Sequence, residues 1–473
     1  MRSTGLKRTN LASTLCISLV ALIISNCIFQ VAYATPGDRI ESAFSFRNTV
    51  VSEGKLKAVQ SQALISAPGM KSWQIDLNPK LKSLVTGGSL RVPLPSGGAL
   101  DMSITSSKTL NNGDVQIIGE FVGGGRALLT INDRASFGSI ISDSHNLLLG
   151  WDSAQGQFLV DRASMTDRNL NLDADFRVPV GFEAKKLSNS ITAPTAAEQA
   201  ILNSGGKTRI DLLVVYSREF GSIFGSPLTR INQLVGFSND AFDRSGILIQ
   251  LNLVSAVELP FDNSRGGGAI LTDATASRGD FSDLAALRDQ FGADLVAVLP
   301  ASSGSSASGV AWISGDDPDS AFSVTRLSPR CCDSVFTHEI GHNLGSGHEH
   351  QSANPSQSSP CRFSFTGYSC GHGNSAAGWG TIMSYLNDRA IGYKFSNLDS
   401  TCLGQPCGIA QGNPNAADNR TSFNISRSLV ANFRGEVSTT PLPPSPPPSP
   451  LEPINTAEPW LTIIIDLLLV TDP

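Results

Sequence analysis

The chain has no cysteine between Cys27 and Cys331. That stretch can hold no disulfide, and its stability has to come from its own core. No C-x2-C pairs occur, which argues against a cysteine-built structural zinc site. Charge is sparse: 16% of residues are Asp, Glu, Lys or Arg, the net charge is −6, and no basic run stands out. This excludes the electrostatic footprint of a nucleic-acid binder. The apolar tail Trp460–Val470, with Asp466 inside it, is only about half the roughly 20 residues a membrane-spanning helix needs. Histidine is rare as well, yet five of the six lie between His338 and His372.

That cluster has a spacing. His338, Glu339, His342, Gly345 and His348 spell H-E-x-x-H-x-x-G-x-x-H. Residues i and i+4 of a helix share a face, so His338 and His342 can offer two nitrogens to one metal. Glu339 sits beside them, able to reach a water without ligating the metal. Gly345 can take positive φ, end the helix and return the chain so that His348 becomes a third ligand. Three protein ligands leave one position open, which marks a catalytic rather than a structural zinc site. Asp333 or Ser334 can cap the helix, and Phe336, Ile340 and Leu344 form its apolar stripe. Gly341 inside it costs about 1 kcal/mol relative to Ala and has no evident reason beyond close packing.

Downstream lies Gly380-Thr381-Ile382-Met383-Ser384-Tyr385. With the long histidine motif, this segment resembles the metzincin zinc endopeptidases, in which a Met-turn lies beneath the three ligands. The resemblance covers residues 207–434 and is nearest to the bacterial reprolysin-like and peptidyl-Asp metalloendopeptidase group. It implies one catalytic Zn2+, His338, His342 and His348 as ligands, Glu339 as general base and Met383 as the turn's methionine. Tyr385 matches a tyrosine that astacin-like and serralysin-like members use as a removable ligand. Glu349, after the third histidine, is astacin-like where reprolysins usually carry Asp. An aspartate cleavage preference rests on the resemblance alone.

The expected organisation follows the composition. Residues 1–34 read as a signal peptide: Lys7 and Arg8, an apolar Leu15–Val31, then Ala32-Tyr33-Ala34 with cleavage before Thr35. Asn26 and Gln30 interrupt the run, against an anchor, and Asn26 before Cys27 departs from a lipoprotein site. Residues 35–190 read as a β-rich propeptide. Leu100, Met102 and Ile104 alternate as in a half-buried strand, and Asn112-Gly113 and Gly123–Gly125 mark turns. An accessory binding domain is the competing reading. Residues 191–206 form a linker and maturation region, 435–459 a proline-rich spacer, and 460–473 a short tail of unknown role.

The catalytic domain is expected to be α/β (α+β), with a mixed twisted sheet, the zinc helix and the Met-turn. Ile210–Tyr216 reads as a buried strand and Ser226-Pro227 as a helix start, with Leu228, Ile231, Val235 and Phe242 at helical spacing. Ile247–Leu253 reads as a strand, Asp283–Phe291 as a short helix ending at Gly292, Leu295–Leu299 as a strand, and Ala416–Arg434 as a last helix. Residues 309–314 should be an edge strand able to bind an extended peptide by β-addition. Six cysteines remain after signal removal. One of the adjacent Cys331 and Cys332 is expected to staple the front of the zinc helix to the region around Met383, a bond between the two being strained.

The function expected is that of a secreted, monomeric zinc endopeptidase made as a zymogen and acting on extended peptides, with no nucleic acid and no stable membrane span. The alternative is a catalytically silent metzincin-fold binding module. His350 and His372 are expected to be supporting residues, not ligands, and Glu349 to orient the turn after His348. Latency cannot use a propeptide cysteine, since there is none. A carboxylate is the available alternative, with Asp173 and Asp175 as candidates.

Overall fold

The computed structural model describes residues 39–50, 71–162, 175–179, 205–302, 308–331, 333–350, 361, 364–385 and 393–435. The signal peptide, most of the linker, Asp173, the proline-rich spacer and the apolar tail lie outside these residues. The described parts of the N-terminal and C-terminal halves belong to one compact unit. Among the described residues, no helix is long and apolar enough to cross a membrane.

Ten strands between Arg39 and Asp161 form one sheet. From Ser89 to Asp161 it is a meander in which each strand pairs antiparallel with the next. The alternation at Leu100, Met102 and Ile104 belongs to the strand Ala99–Thr109. Gly113 and Gly123 to Gly125 all take positive φ at the turns expected there. Successive side chains of a strand point to opposite faces. One face closes a core of its own around Ile75, Leu90, Ile117 and Leu149. The other face sends Phe137, Leu148, Phe158 and Val160 into a core shared with Phe224, Ile231, Leu234 and Phe336 of the C-terminal half.

The second sheet has six strands in the order Phe176–Arg177, Ser308–Trp312, Phe322–Arg326, Leu295–Leu299, Thr208–Ser217, Ile249–Leu259. Thr208–Ser217 lies between Leu295–Leu299 and Ile249–Leu259, is buried almost throughout, and runs parallel to both. The helix Pro227–Arg244 crosses over between two of these strands, with its proline in the first turn as the Ser226-Pro227 pair predicts. Ser226 does not cap it through its side chain; its hydroxyl meets that of Thr229 instead. The short helix Leu284–Gln290, with Gly292 at φ 60°, and the last helix Asn419–Val430 fall inside their expected ranges.

Two elements were not legible. Gly267–Thr275 forms a helix although it opens on two glycines, which are poor helix formers. Phe322–Arg326 alternates apolar and hydroxyl residues like a half-exposed strand, yet Ser323 and Thr325 are fully buried. The edge strand Ser308–Trp312 runs antiparallel to Phe322–Arg326, and its outer side is taken by Phe176–Arg177 in parallel.

The disulfide expectation is corrected. Cys361 pairs with Cys370 and Cys402 with Cys407. Cys331 is disulfide-bonded as well, and with these four paired among themselves none of them staples the front of the histidine helix to the Met383 turn. Both bonds close short local loops, and the helix is held instead by burial and by the ionic contacts of Asp333.

Candidate metal centre

The helix Asp333–Asn343 carries His338 and His342 one turn apart. It ends where the motif requires. Gly345 has φ +93°, its N–H donates to the His342 carbonyl, and the Ser346 N–H donates to the Gly341 carbonyl. This is the Schellman arrangement, in which a left-handed residue satisfies the last carbonyls and turns the chain back. A Cβ at Gly345 would stand 2.6 Å from Phe365 Cβ, so space as well as φ demands glycine. The reversal returns His348 to the helix.

The three imidazoles meet edge on. His348 Nε2 lies 3.2 Å from His338 Nε2 and 3.2 Å from His342 Nε2. His338 Nδ1 donates to the Ile382 carbonyl at 2.7 Å and His342 Nδ1 to the Ser346 carbonyl at 2.8 Å. A carbonyl only accepts, so both rings carry their proton on Nδ1 and turn an Nε2 lone pair inward. Burial foremost, with His338 and His348 alongside, pushes the His342 imidazole down to about 4. It is therefore neutral, as a ligand must be, at ordinary pH.

A carboxylate completes the group. Asp175 Oδ2 lies 3.2 Å from His338 Nε2, 3.2 Å from His348 Nε2 and 4.0 Å from His342 Nε2. These four are a buried set whose ligating atoms converge. Acceptors facing one point repel one another and fit a cation. Two nitrogens bound tetrahedrally to zinc stand about 3.3–3.4 Å apart, close to the spacing seen here. The residues present therefore fit a zinc ion held by three imidazoles, with a carboxylate at the fourth position.

Glu339 is buried near this group, close enough to feel the charge of Asp175. Its carboxyl lies against the Cα of Gly309 in the edge strand, where a Cβ would stand 2.0 Å from Glu339 Oε1. Glycine in that strand marks a close approach. Burial, and then the charge of Asp175, raise the Glu339 carboxyl well above the usual range. Asn343, one turn on, donates its amide to the Trp312 and Phe322 carbonyls at 3.0 and 2.9 Å and so ties the helix to the strand Ser308–Trp312 and to its neighbour Phe322–Arg326. Sequence reasoning passed over Asn343 and Gly309; an isolated glycine in a strand pattern was the available signal for the second.

On the opposite side, a Cβ at Gly341 would stand 2.4 Å from Met383 Sδ. This is the reason for a glycine in mid-helix: the methionine lies where its side chain would be. Tyr385 follows with its hydroxyl 3.3 Å from His338 Nε2 and its ring 4.4 Å from that of His348. Glu349 is buried and accepts the Tyr385 backbone N–H at 2.9 Å, a contact to the Met383–Tyr385 segment where the sequence pointed to the turn after His348. His350 and His372 stay outside the group. His350 Nε2 contacts the Ala416 carbonyl, and His372 packs edge-on against Trp379.

Asp175 arrives on the short strand Phe176–Arg177. The Ala311 N–H donates to the Asp175 carbonyl and the Ile313 N–H to the Arg177 carbonyl, both at 2.9 Å. The Phe176 ring packs against the rings of His348 and His342.

Residues 209–413, which include every member of this group except Asp175, match the model of the M12B reprolysin-like metallopeptidase family. A peptidyl-Asp metalloendopeptidase from Pseudomonas aeruginosa is 27% identical over 255 residues, covering 46% of this chain and 40% of that protein. The chain thus matches less than half the length of that relative. Among solved structures, one titled as a chaperone–substrate complex aligns with a TM-score of 0.38 at 15% identity, covering 74% of this chain and 43% of the other. Metalloproteinase-II from Bacteroides fragilis aligns at 0.33 with 10% identity, covering 58% and 86%. Scores this low carry no argument about the fold.

Proposed function

We infer, from a chain whose residues 209–413 form a metzincin-like zinc endopeptidase domain of the M12B reprolysin-like kind, that the protein is an exported protease made in latent form. The observation that carries this reading is the inward convergence of three Nε2 lone pairs, two of them fixed by backbone carbonyls, beside a buried carboxyl that is not needed as a ligand. Export is supported by the Cys361–Cys370 and Cys402–Cys407 bonds, which form in oxidising compartments, and by the signal-like N-terminus.

His338, His342 and His348 would hold the zinc. When bound there, zinc polarises a peptide carbonyl and lowers the pKa of water toward about 7. Glu339 takes the proton from the attacking water and returns it to the leaving amine. The edge strand Ser308–Trp312 binds the substrate as an added strand, in the place Phe176–Arg177 takes in the precursor. Asp175 keeps the precursor silent by putting a carboxylate where the reacting groups must sit. No cysteine takes part in this latency.

Casein hydrolysis by the matured protein, with and without a chelator, tests the reading. Activity should vanish on chelation and return with stoichiometric zinc. A matured protein that binds zinc and cuts no peptide bond would be a binding module instead.

Tyr385 is proposed to donate to the oxyanion that develops on the substrate. Loss of one such donor costs about 2.7–4 kcal/mol, so Tyr385→Phe should lower kcat by roughly 100- to 1000-fold with KM and zinc content little changed. A kcat within about twofold of wild type, together with a lower Tm, would make Tyr385 a packing residue.

A further inference from the structure

We propose that maturation removes only the strand bearing Asp175, and that the N-terminal sheet, residues 39–161, stays bound as a permanent non-covalent partner of the catalytic half. This rests on the latent-protease reading above and specifies what becomes of the two parts of its N-terminal region. The parts are held very differently. Phe176–Arg177 makes a two-residue pairing with the edge strand, and Asp175 supplies one carboxylate. The sheet shares a hydrophobic core with the catalytic half, with Phe137 edge-on to Phe224 at 5.9 Å. Trp151 fills the space left by Gly225, where a Cβ would meet its ring at 2.3 Å.

Buried charge crosses the same interface. Arg330 NH2 pairs with Asp152 Oδ2 at 3.0 Å, with side chains only 3% and 1% exposed, and the guanidinium lies 4.5 Å from the Phe158 ring centroid. Asp333, at the start of the histidine helix, pairs with Arg230 inside the catalytic half, and its other oxygen accepts the Ser139 hydroxyl of the sheet at 2.8 Å. Asp114 of the sheet is fully buried and accepts from Thr229 at 3.1 Å and Asn232 at 2.9 Å. Departure of the sheet would separate Arg330 from its counter-ion and strip Phe224 of its cover. Breaking a buried pair by removing one member is strongly unfavourable, because the remaining charge has lost both water and partner. A segment built into a core in this way leaves only if the core opens.

The test makes the cuts at will. Recognition sequences for a site-specific protease are placed within 163–174 and within 188–204 of the Glu339→Gln precursor, so that autolysis plays no part. After both cuts, the fragment ending before Asp175 and the fragment beginning near residue 205 should co-elute on size exclusion and separate only in denaturant. Separation of the two under native conditions overturns the proposal. Asp152→Asn keeps the carbonyl that the Ala154 and Gln155 N–H groups use, yet removes the charge facing Arg330. It should weaken the association roughly tenfold or more; an unchanged Kd would refute this pair as an anchor. Hydrolysis is not read in either arm, so an inactive protein would sink the protease reading and leave this result standing. In the native secreted enzyme, N-terminal sequencing should find two chains, the larger beginning between Ser188 and Ile210. A fully active preparation containing that chain alone would also overturn the proposal.

Discussion

Glu339→Gln will bind zinc as the wild type does and hydrolyse almost nothing. His338 and His342 keep their Nδ1 contacts to the Ile382 and Ser346 carbonyls, which do not involve residue 339. The amide has nearly the carboxyl's shape and fits the space against Gly309. What it lacks is a basic oxygen. General-base assistance is worth roughly 100- to 10,000-fold, and kcat should fall by that order with KM little changed. Zinc stoichiometry by atomic absorption, measured on the same sample as kcat, decides the matter. Full zinc with activity near wild type would remove Glu339 from the mechanism.

Asp175→Ala acts in the opposite direction. The uncut precursor should become active, because the carboxylate within 3.2 Å of two ligand nitrogens is gone while the sheet that supports the helix remains. One contact to a charged group is worth about 1.5–3 kcal/mol, which corresponds to a rise of roughly 10- to 100-fold in the activity of unprocessed protein. The measurement is hydrolysis of a quenched peptide by a precursor shown by mass spectrometry to be intact. Strand Phe176–Arg177 would still lie along the edge strand, so KM should stay above that of the matured enzyme. An intact precursor as silent as wild type would mean that latency comes from the strand's occupancy of the cleft and not from the carboxylate.

How much of this could be read in advance depended on distance along the chain. The histidine helix, its glycine stop and the return of His348 lie within eleven consecutive residues and obey local rules of periodicity and φ. The buried strand Thr208–Ser217 and the helix after Ser226-Pro227 were equally local. Asp175 was one of two carboxylates named as candidates, and nothing local separated it from Asp173. The pairing of Arg330 with Asp152, 178 residues apart, and of Asp333 with Ser139, 194 apart, has no signature in composition or spacing. Each is a buried polar match that exists only once two sheets have packed. The disulfides failed for the opposite reason: one of the adjacent cysteines was expected to reach far along the chain, and the four cysteines it could have reached pair with near neighbours in sequence.

The fit between Gly341 and Met383 bears on chemical durability. Thioethers on protein surfaces are readily converted to sulfoxides in oxidising surroundings, and the added oxygen is polar and bulky. Met383 is fully buried, and the helix passes so close to its sulfur that even one methyl group would collide there. An oxidant can reach that sulfur only in molecules that have already opened, and a sulfoxide formed there cannot be closed over again. Oxidative damage at this position should therefore accumulate as a record of past unfolding.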